Sequence, residues 1–237
     1  MTEPDPGGTP PGSSMDVVIL LGAPGAGKGT QAPILAGYLG VPHIATGDLF
    51  RAAVRDGSPV GLEARRFMER GLLVPDDITI KMLLERLTAR DALPGVILDG
   101  FPRNRAQAEA LDEALAAKGA SVRRAVSIDV PADELVRRLS GRWVCRDNGH
   151  VYNEHSNPPR STGKCDLDGS PLIQREDDQA ETIRARLATT LSSLRDVASY
   201  YRDRGVLRSI DGVQPISAVT QELLAAFDAD GAPAEVH

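Results

Sequence analysis

The chain has 237 residues, 41% hydrophobic and 25% charged, with a formal net charge of −6. That composition suits a globular protein long enough to bury a large core without covalent staples. It excludes a membrane span, which needs ~18 apolar residues in a row. With only Cys145 and Cys165 it also excludes a disulfide scaffold, and its acidity argues against a general nucleic-acid binder. The start, Met1-Thr2-Glu3-Pro4-Asp5-Pro6, lacks the basic region and apolar core of a secretory signal. A cytoplasmic protein with neither membrane nor nucleic-acid partners is expected. Only four of the 27 basic residues are lysine, and arginine's rigid fork of donors suits phosphate.

Residues 1–14 are mostly Pro, Gly, Ser, Thr and acids and read as a disordered arm. Val17-Val18-Ile19-Leu20-Leu21 is a continuous apolar run, the mark of a buried parallel strand. A glycine-rich segment and a helix follow it. Pro42-His43-Ile44 is a weaker strand. Thr46-Gly47-Asp48 signals the N-cap of a helix that carries Arg51. Gly57-Ser58-Pro59 breaks that helix, and a second runs to Gly71, before Leu72-Leu73-Val74-Pro75. Together they predict a helical arm. Val96-Ile97-Leu98 is the next strand. Asp99-Gly100-Phe101-Pro102-Arg103 stands at its carboxyl end, where open α/β sheets bind ligands. Ala125–Ile128 and Val206–Ile210 are two more strands. Between them, 142–178 lacks a helical period and is too long for a bare loop, so it reads as a small inserted subdomain. From Gln179 to Arg204, Ile183, Leu187, Leu191, Leu194, Ala198 and Tyr201 form one helical face. Residues 229–237 read as a loose tail. Alternating strands and helices predict an α/β fold with a parallel sheet covered on both faces.

Gly22-Ala23-Pro24-Gly25-Ala26-Gly27-Lys28-Gly29-Thr30 follows the first strand directly. Its glycines let backbone N–H groups curl around an anion. The helix behind adds its dipole, and Lys28 reaches terminal phosphate oxygens. This is Gly-x-x-x-x-Gly-Lys in the strand–loop–helix setting that the motif needs. The strict pattern has Ser or Thr right after the lysine. Gly29 stands there, so Thr30 is not assigned as a direct magnesium ligand.

Taken with Thr46-Gly47-Asp48-Leu49-Phe50-Arg51, Leu98-Asp99-Gly100-Phe101-Pro102-Arg103 and Asp177-Asp178, in that order, this loop resembles the adenylate kinases over roughly residues 15 to 225. The resemblance implies a P-loop kinase core over 15–228: a central parallel sheet flanked by helices, an AMP-binding insertion at 45–74 and a lid at 142–178. It implies a monomer that serves adenine nucleotide homeostasis by the Mg²⁺-dependent reaction ATP + AMP ⇌ 2 ADP. By motif match, ATP falls to Gly25, Ala26, Gly27, Lys28, Gly29, Thr30, Arg138, Arg142, Val151, Tyr152 and the backbone near Gln214. AMP falls to Thr46, Arg51, Leu72, Leu73, Val74, Gly100, Phe101, Pro102, Arg103, Gln107, Arg175 and Arg186. Asp99 would orient hydrated Mg²⁺, and Lys28, Arg103, Arg142, Arg175 and Arg186 form the catalytic set. Asp177-Asp178 would pair with the arginines at the lid's root.

Two other readings compete. One is a kinase for CMP or UMP, against which Thr46 and Gln107 are of the AMP type. The other is a catalytically silent nucleotide-binding regulator, against which the full set of phosphate-facing cations stands. The lid departs from family habit at Glu176, often basic, and at Ser156, often aromatic. Cys145-Arg146-Asp147-Asn148 and Cys165-Asp166-Leu167-Asp168 are similar to knuckles that hold structural zinc in part of the family. Asn148 is a poor ligand and leaves three of the four that a closed site needs. His150 lies two residues off register. The expectation therefore falls against zinc.

Overall fold

A computed structural model describes residues 15–70, 72–175 and 178–228. The expectations for residues 1–14, Gly71, Glu176, Asp177 and 229–237 lie outside the described residues.

Five strands form a parallel sheet: β1 (Asp16–Leu21), β2 (His43–Ala45), β3 (Gly95–Asp99), β4 (Ser121–Asp129) and, last in the chain, β8 (Leu207–Asp211). Their order across the sheet is β2-β3-β1-β4-β8. Residues 17–21 of the central strand are at most 2% exposed, so both faces are covered. Alternation sends Val17, Ile19 and Leu21 into one cluster and Val18 and Leu20 into another. The first cluster packs against α4 (Asp76–Arg86), α5 (Arg105–Ala116) and the distal half of α7 (Ala180–Asp203); the second packs against α1 (Lys28–Leu39) and α8 (Ile216–Asp228). A third cluster seats Ala23 and Ala26 on Leu135 and Leu139 of α6 (Ala132–Ser140) and on Ile183 and Leu187 of α7. Packing therefore fixes the glycine-rich loop from beneath.

Two units project from this frame. Between β2 and β3, α2 (Thr46–Arg55) and α3 (Pro59–Met68) form the expected arm around Phe50, Ala64 and Val74. Between α6 and α7, a small antiparallel sheet has the order β6-β5-β7, made of β5 (Arg142–Cys145), β6 (Val151–Asn153) and β7 (Leu172–Ile173). No helix among the described residues is long and apolar enough to cross a membrane.

The arm depends on one close approach. A Cβ at Gly61 would lie 2.1 Å from the carbonyl oxygen of Ala53, where α3 crosses α2. Gly61→Ala must push the helices apart. Overpacking costs about 1–3 kcal/mol, and the upper end applies because backbone is in the way. Thermal unfolding should show a lower Tm. An unchanged Tm would contradict so tight a crossing.

Candidate active site

The glycine-rich loop, the carboxyl ends of β3 and β4 and the two projecting units meet at one edge of the sheet. Gly25 (φ 85°) and Gly27 (φ 104°) take left-handed conformations that strain any residue with a side chain. Gly27 is also the N-cap of α1. Lys28 folds back across the loop. Its Nζ donates to the Gly22 carbonyl at 2.8 Å and the Ala23 carbonyl at 3.3 Å, and lies 3.8 Å from Asp99 Oδ1. Burial pushes the Lys28 pKa down, Asp99 pulls it up, and Arg103, Arg186 and Arg142 push it down again, for a net lowering. Four cations therefore share one field, an arrangement that an anion relieves.

Asp99 ends β3. His43, on the neighbouring β2, puts Nε2 3.5 Å from Asp99 Oδ2. Burial works to raise the Asp99 pKa, but Lys28, His43 and Arg103 outweigh it and hold the carboxyl below its usual value. It is thus an ionised carboxylate at neutral pH, the group that a hydrated divalent cation needs.

Beside this centre lies a cleft, open to solvent, between the arm and the sheet. It brings together Thr46, Arg51, Leu72, Leu73, Val74, Arg103, Gln107 and Arg186 from four separate stretches of chain. The Thr46 hydroxyl and Arg103 Nε both donate to the Gly100 carbonyl, at 2.9 and 2.7 Å. Here the structure corrects an N-cap reading. Thr46 is the first residue of α2, Ala45 is the cap, and no side chain caps the helix. The hydroxyl is committed to Gly100, and Asp48 pairs with Arg51. Gln107, 1% exposed, accepts the Arg103 N–H at Oε1 (2.8 Å) and donates from Nε2 to Asp76 Oδ1 (2.7 Å). Phe101 is placed by its packing. Its ring is buried in the main core, so it offers a ligand only its backbone; the bond to Pro102 is cis.

At the root of the small sheet, Asp178 has a fully buried side chain. Its carboxylate accepts from Arg142 Nε at 2.7 Å and from Arg186 Nη1 at 3.0 Å. Arg175 is half-buried just before it, and the Arg175 carbonyl accepts the Asp178 N–H. Arg138 donates to Glu134 (2.7 Å) and to the Gly212 carbonyl (2.9 Å), which ties α6 to the turn before α8. Hydrogen bonds from Arg137 and Arg138 lower the Glu134 pKa to about 2. Gln214 donates its side-chain amide to Glu222 at 2.9 Å. Tyr152, expected at ATP, has a buried ring. Strand alternation puts it inside the small sheet's core, where its hydroxyl lies 3.4 Å from Cys165 Sγ and accepts the Asp166 N–H. Val151 points to the opposite face and is half-buried.

That small core also revises the expectation against metal. Cys145, His150, Cys165 and Asp168 bring one donor each to within 4.8 Å of one another. Cys145 Sγ and His150 Nδ1 lie 3.2 and 3.4 Å from Asp168 Oδ2, and His150 Nδ1 lies 3.2 Å from Cys165 Sγ. A tetrahedral zinc with S, N and O ligands has edges of about 3.3–3.8 Å; these three separations lie close to that, and the chemistry of the four donors suits the metal. Asn148 instead donates to Asp168 at 2.7 Å, holding a ligand in place.

Sequence reasoning missed Asp76, His43 and Gln31. Gln31 is 2% exposed and joins α1 to Ile216 and Thr220 of α8. Its signal is a polar residue one turn into a helix that is otherwise apolar on that face. His43 and Asp76 have no such signal, since both act across distant segments.

Residues 20–206 match the sequence profile of the family described as adenylate kinase. The chain is 44% identical over 216 residues to an adenylate kinase of Streptomyces avermitilis, covering 91% of this chain and 98% of the relative. It is 46% identical over 211 residues to one of Thermodesulfovibrio yellowstonii (89% and 98% covered) and 50% identical over 195 residues to one of Syntrophomonas wolfei (82% and 91% covered). With that coverage on top of the phosphate loop and its ring of cations, the chain belongs to the adenylate kinase family.

Proposed function

We propose that the phosphate loop takes ATP, the cleft beneath the arm takes AMP, and the small sheet is the lid over both. The reaction is the family's reversible transfer of the terminal phosphoryl group of ATP to AMP, giving two ADP. The observation that carries the residue roles is the convergence of Arg103, Arg142 and Arg186 on the field of Lys28, with Lys28 3.8 Å from Asp99 and with Arg142 and Arg186 joined at Asp178. Phosphoryl transfer asks a protein for alignment and charge neutralisation more than for covalent chemistry. In this reading the loop N–H groups and Lys28 hold the ATP phosphates. Arg103 and Arg51 fork onto the AMP phosphate, which points it at the bond to be broken. Arg142, Arg175 and Arg186 cross the transferring group. Arg138, fixed by Glu134 and Gly212, lies against the ATP base beside the backbone at Gln214. Thr46, the backbone of residues 72–74 and Gln107 frame the AMP base. Mg²⁺ bound with ATP supplies charge neutralisation on the phosphate oxygens, and Asp99 is the residue that orients its water shell. Closing the arm and lid excludes water that would hydrolyse ATP.

The test is Gln107→Ala. The KM for AMP should rise about 10–100-fold, the cost of leaving buried partners unpaired, with the KM for ATP nearly unchanged. A rise in the KM for ATP instead would reverse the two sites.

Within the lid, Cys145, His150, Cys165 and Asp168 hold structural zinc in this reading, which ties the two knuckles together. Burial raises the Cys165 pKa, and hydrogen bonds from Tyr152, the Leu167 N–H and His150 more than offset it; that favours the thiolate a metal takes. The purified protein should carry about one zinc per chain by elemental analysis, with chelation lowering Tm. A metal-free protein with a chelator-insensitive Tm would show a purely hydrogen-bonded cluster. Both cysteines are buried and free, which suits the reducing cytoplasm.

A further inference from the structure

Gln107 has a partner on each side, and the two partners are of opposite kinds. The Arg103 backbone N–H can only donate, and Gln107 Oε1 receives it at 2.8 Å. The Asp76 carboxylate can only accept when ionised, and Gln107 Nε2 donates to it at 2.7 Å. Asp76 is itself fixed by Asn104, whose Nδ2 lies 3.0 and 2.9 Å from its two oxygens. Asn104 is in turn the N-cap of α5, accepting the Gln107 N–H at 2.9 Å. A turned-over amide would set N–H against N–H at Arg103 and oxygen against oxygen at Asp76. In a site only 1% exposed, water cannot compensate for either clash.

We propose that Asp76 is a positioning residue that sets the base specificity of the acceptor site by locking the Gln107 amide in one orientation. The proposal rests on the AMP-site reading above. With these two partners satisfied, the amide keeps one free N–H and one free oxygen lone pair, side by side, at the cleft that Gln107 lines. That pair matches adenine, whose edge offers an acceptor at N1 and a donor at N6. A 6-oxopurine offers the reverse, a donor at N1 and an acceptor at O6, and meets two like groups. Only the turned-over amide would accept it, and Asp76 forbids that orientation. A site built in this way discriminates through groups left unpaired by the wrong base.

The experiment uses the full-length protein with Asp76→Asn, which keeps the side-chain size but can also donate. Initial rates are measured with Mg·ATP and with AMP, IMP or GMP as acceptor, with Tm and the KM for ATP alongside. The expected result is a KM for AMP raised about tenfold with little change in kcat. The preference in kcat/KM for AMP over IMP should shrink at least tenfold, with the KM for ATP unchanged. A preference that stays constant, or an equal loss with every acceptor, overturns the proposal and leaves Asp76 a structural tie between α4 and α5. Should Asp76→Asn fail to fold, proton–nitrogen NMR of the unaltered protein decides. The Gln107 amide should then show one slowly exchanging proton, and two freely exchanging protons overturn the proposal. Gln107→Ala separates the two readings. If it raises the KM for AMP while Asp76→Asn leaves the preference intact, the site stands and the lock falls. If it leaves the KM for AMP unchanged, both fall.

Discussion

Lys28→Ala should lower kcat about 10²–10³-fold, the usual cost of removing one preorganised donor from a developing charge, while the protein stays folded. The fold should survive because of the charges around Lys28. Lys28 is buried, its ammonium is disfavoured by desolvation, and Arg103, Arg186 and Arg142 all repel it. Asp99 and two loop carbonyls favour it. Removing it ends the desolvation cost that weighs most on this ammonium, along with the arginine repulsion, and that offsets the lost Asp99 and carbonyl contacts, so Tm should hold. Such a pattern, lost rate with retained stability, marks a residue kept for chemistry. An unchanged kcat would contradict the phosphate-loop assignment. A collapse of Tm would contradict the charge balance drawn here.

Asp178→Ala should have the opposite signature. Its buried carboxylate is shared by Arg142 and Arg186, whose side chains are 15% and 16% exposed. Without it the two guanidiniums lose the carboxylate that they share. Removing one partner of a buried pair costs about 3–5 kcal/mol, and the lower end applies because both arginines keep some contact with water. Denaturant unfolding should show the loss. ATP should then stabilise the variant more than it stabilises the parent, because its phosphates replace the missing anion between the same arginines. Activity should fall as well, since Asp178 holds the arginines apart and aimed before substrate arrives. Equal stability with and without Asp178 would contradict the claim that this carboxylate organises the lid's root.

Much of this was legible because single-segment chemistry carried it. β1 and β3 read directly as apolar runs, β2 only weakly, and the stripe on α7 reads from Ile183 and Leu187 through Tyr201. Lys28, Arg103 and Asp99 sit in motifs whose mechanism is local. What the sequence hid depends on pairings between segments. His150 is off register in the knuckle when counted along the chain. In the folded hairpin, though, β5 and β6 pair Val144 with Val151, and the Cys145 N–H bonds the His150 carbonyl. Cross-strand neighbours share a face, so His150 reaches the cluster that Asn148 fails to complete. The burial of Tyr152 is hidden in the sequence for the converse reason: alternation along a three-residue strand is too short to show which face is inward. Thr46 looked like a cap because its type and place fit one, yet the neighbouring Gly100 carbonyl competes for the same hydroxyl. Asp76 lies 31 residues from the glutamine it holds, and nothing in either segment announces the other.

The most direct test of the central claim is an acceptor panel. Mg·ATP is mixed with AMP, CMP, UMP, GMP or no acceptor, and ADP formation is followed by phosphorus NMR. The account predicts rapid ADP formation with AMP alone, and with neither pyrimidine nucleotide. Comparable turnover with CMP or UMP would contradict the acceptor site built on Thr46 and Gln107. Silence with every acceptor, while ATP still binds, would contradict the reaction itself.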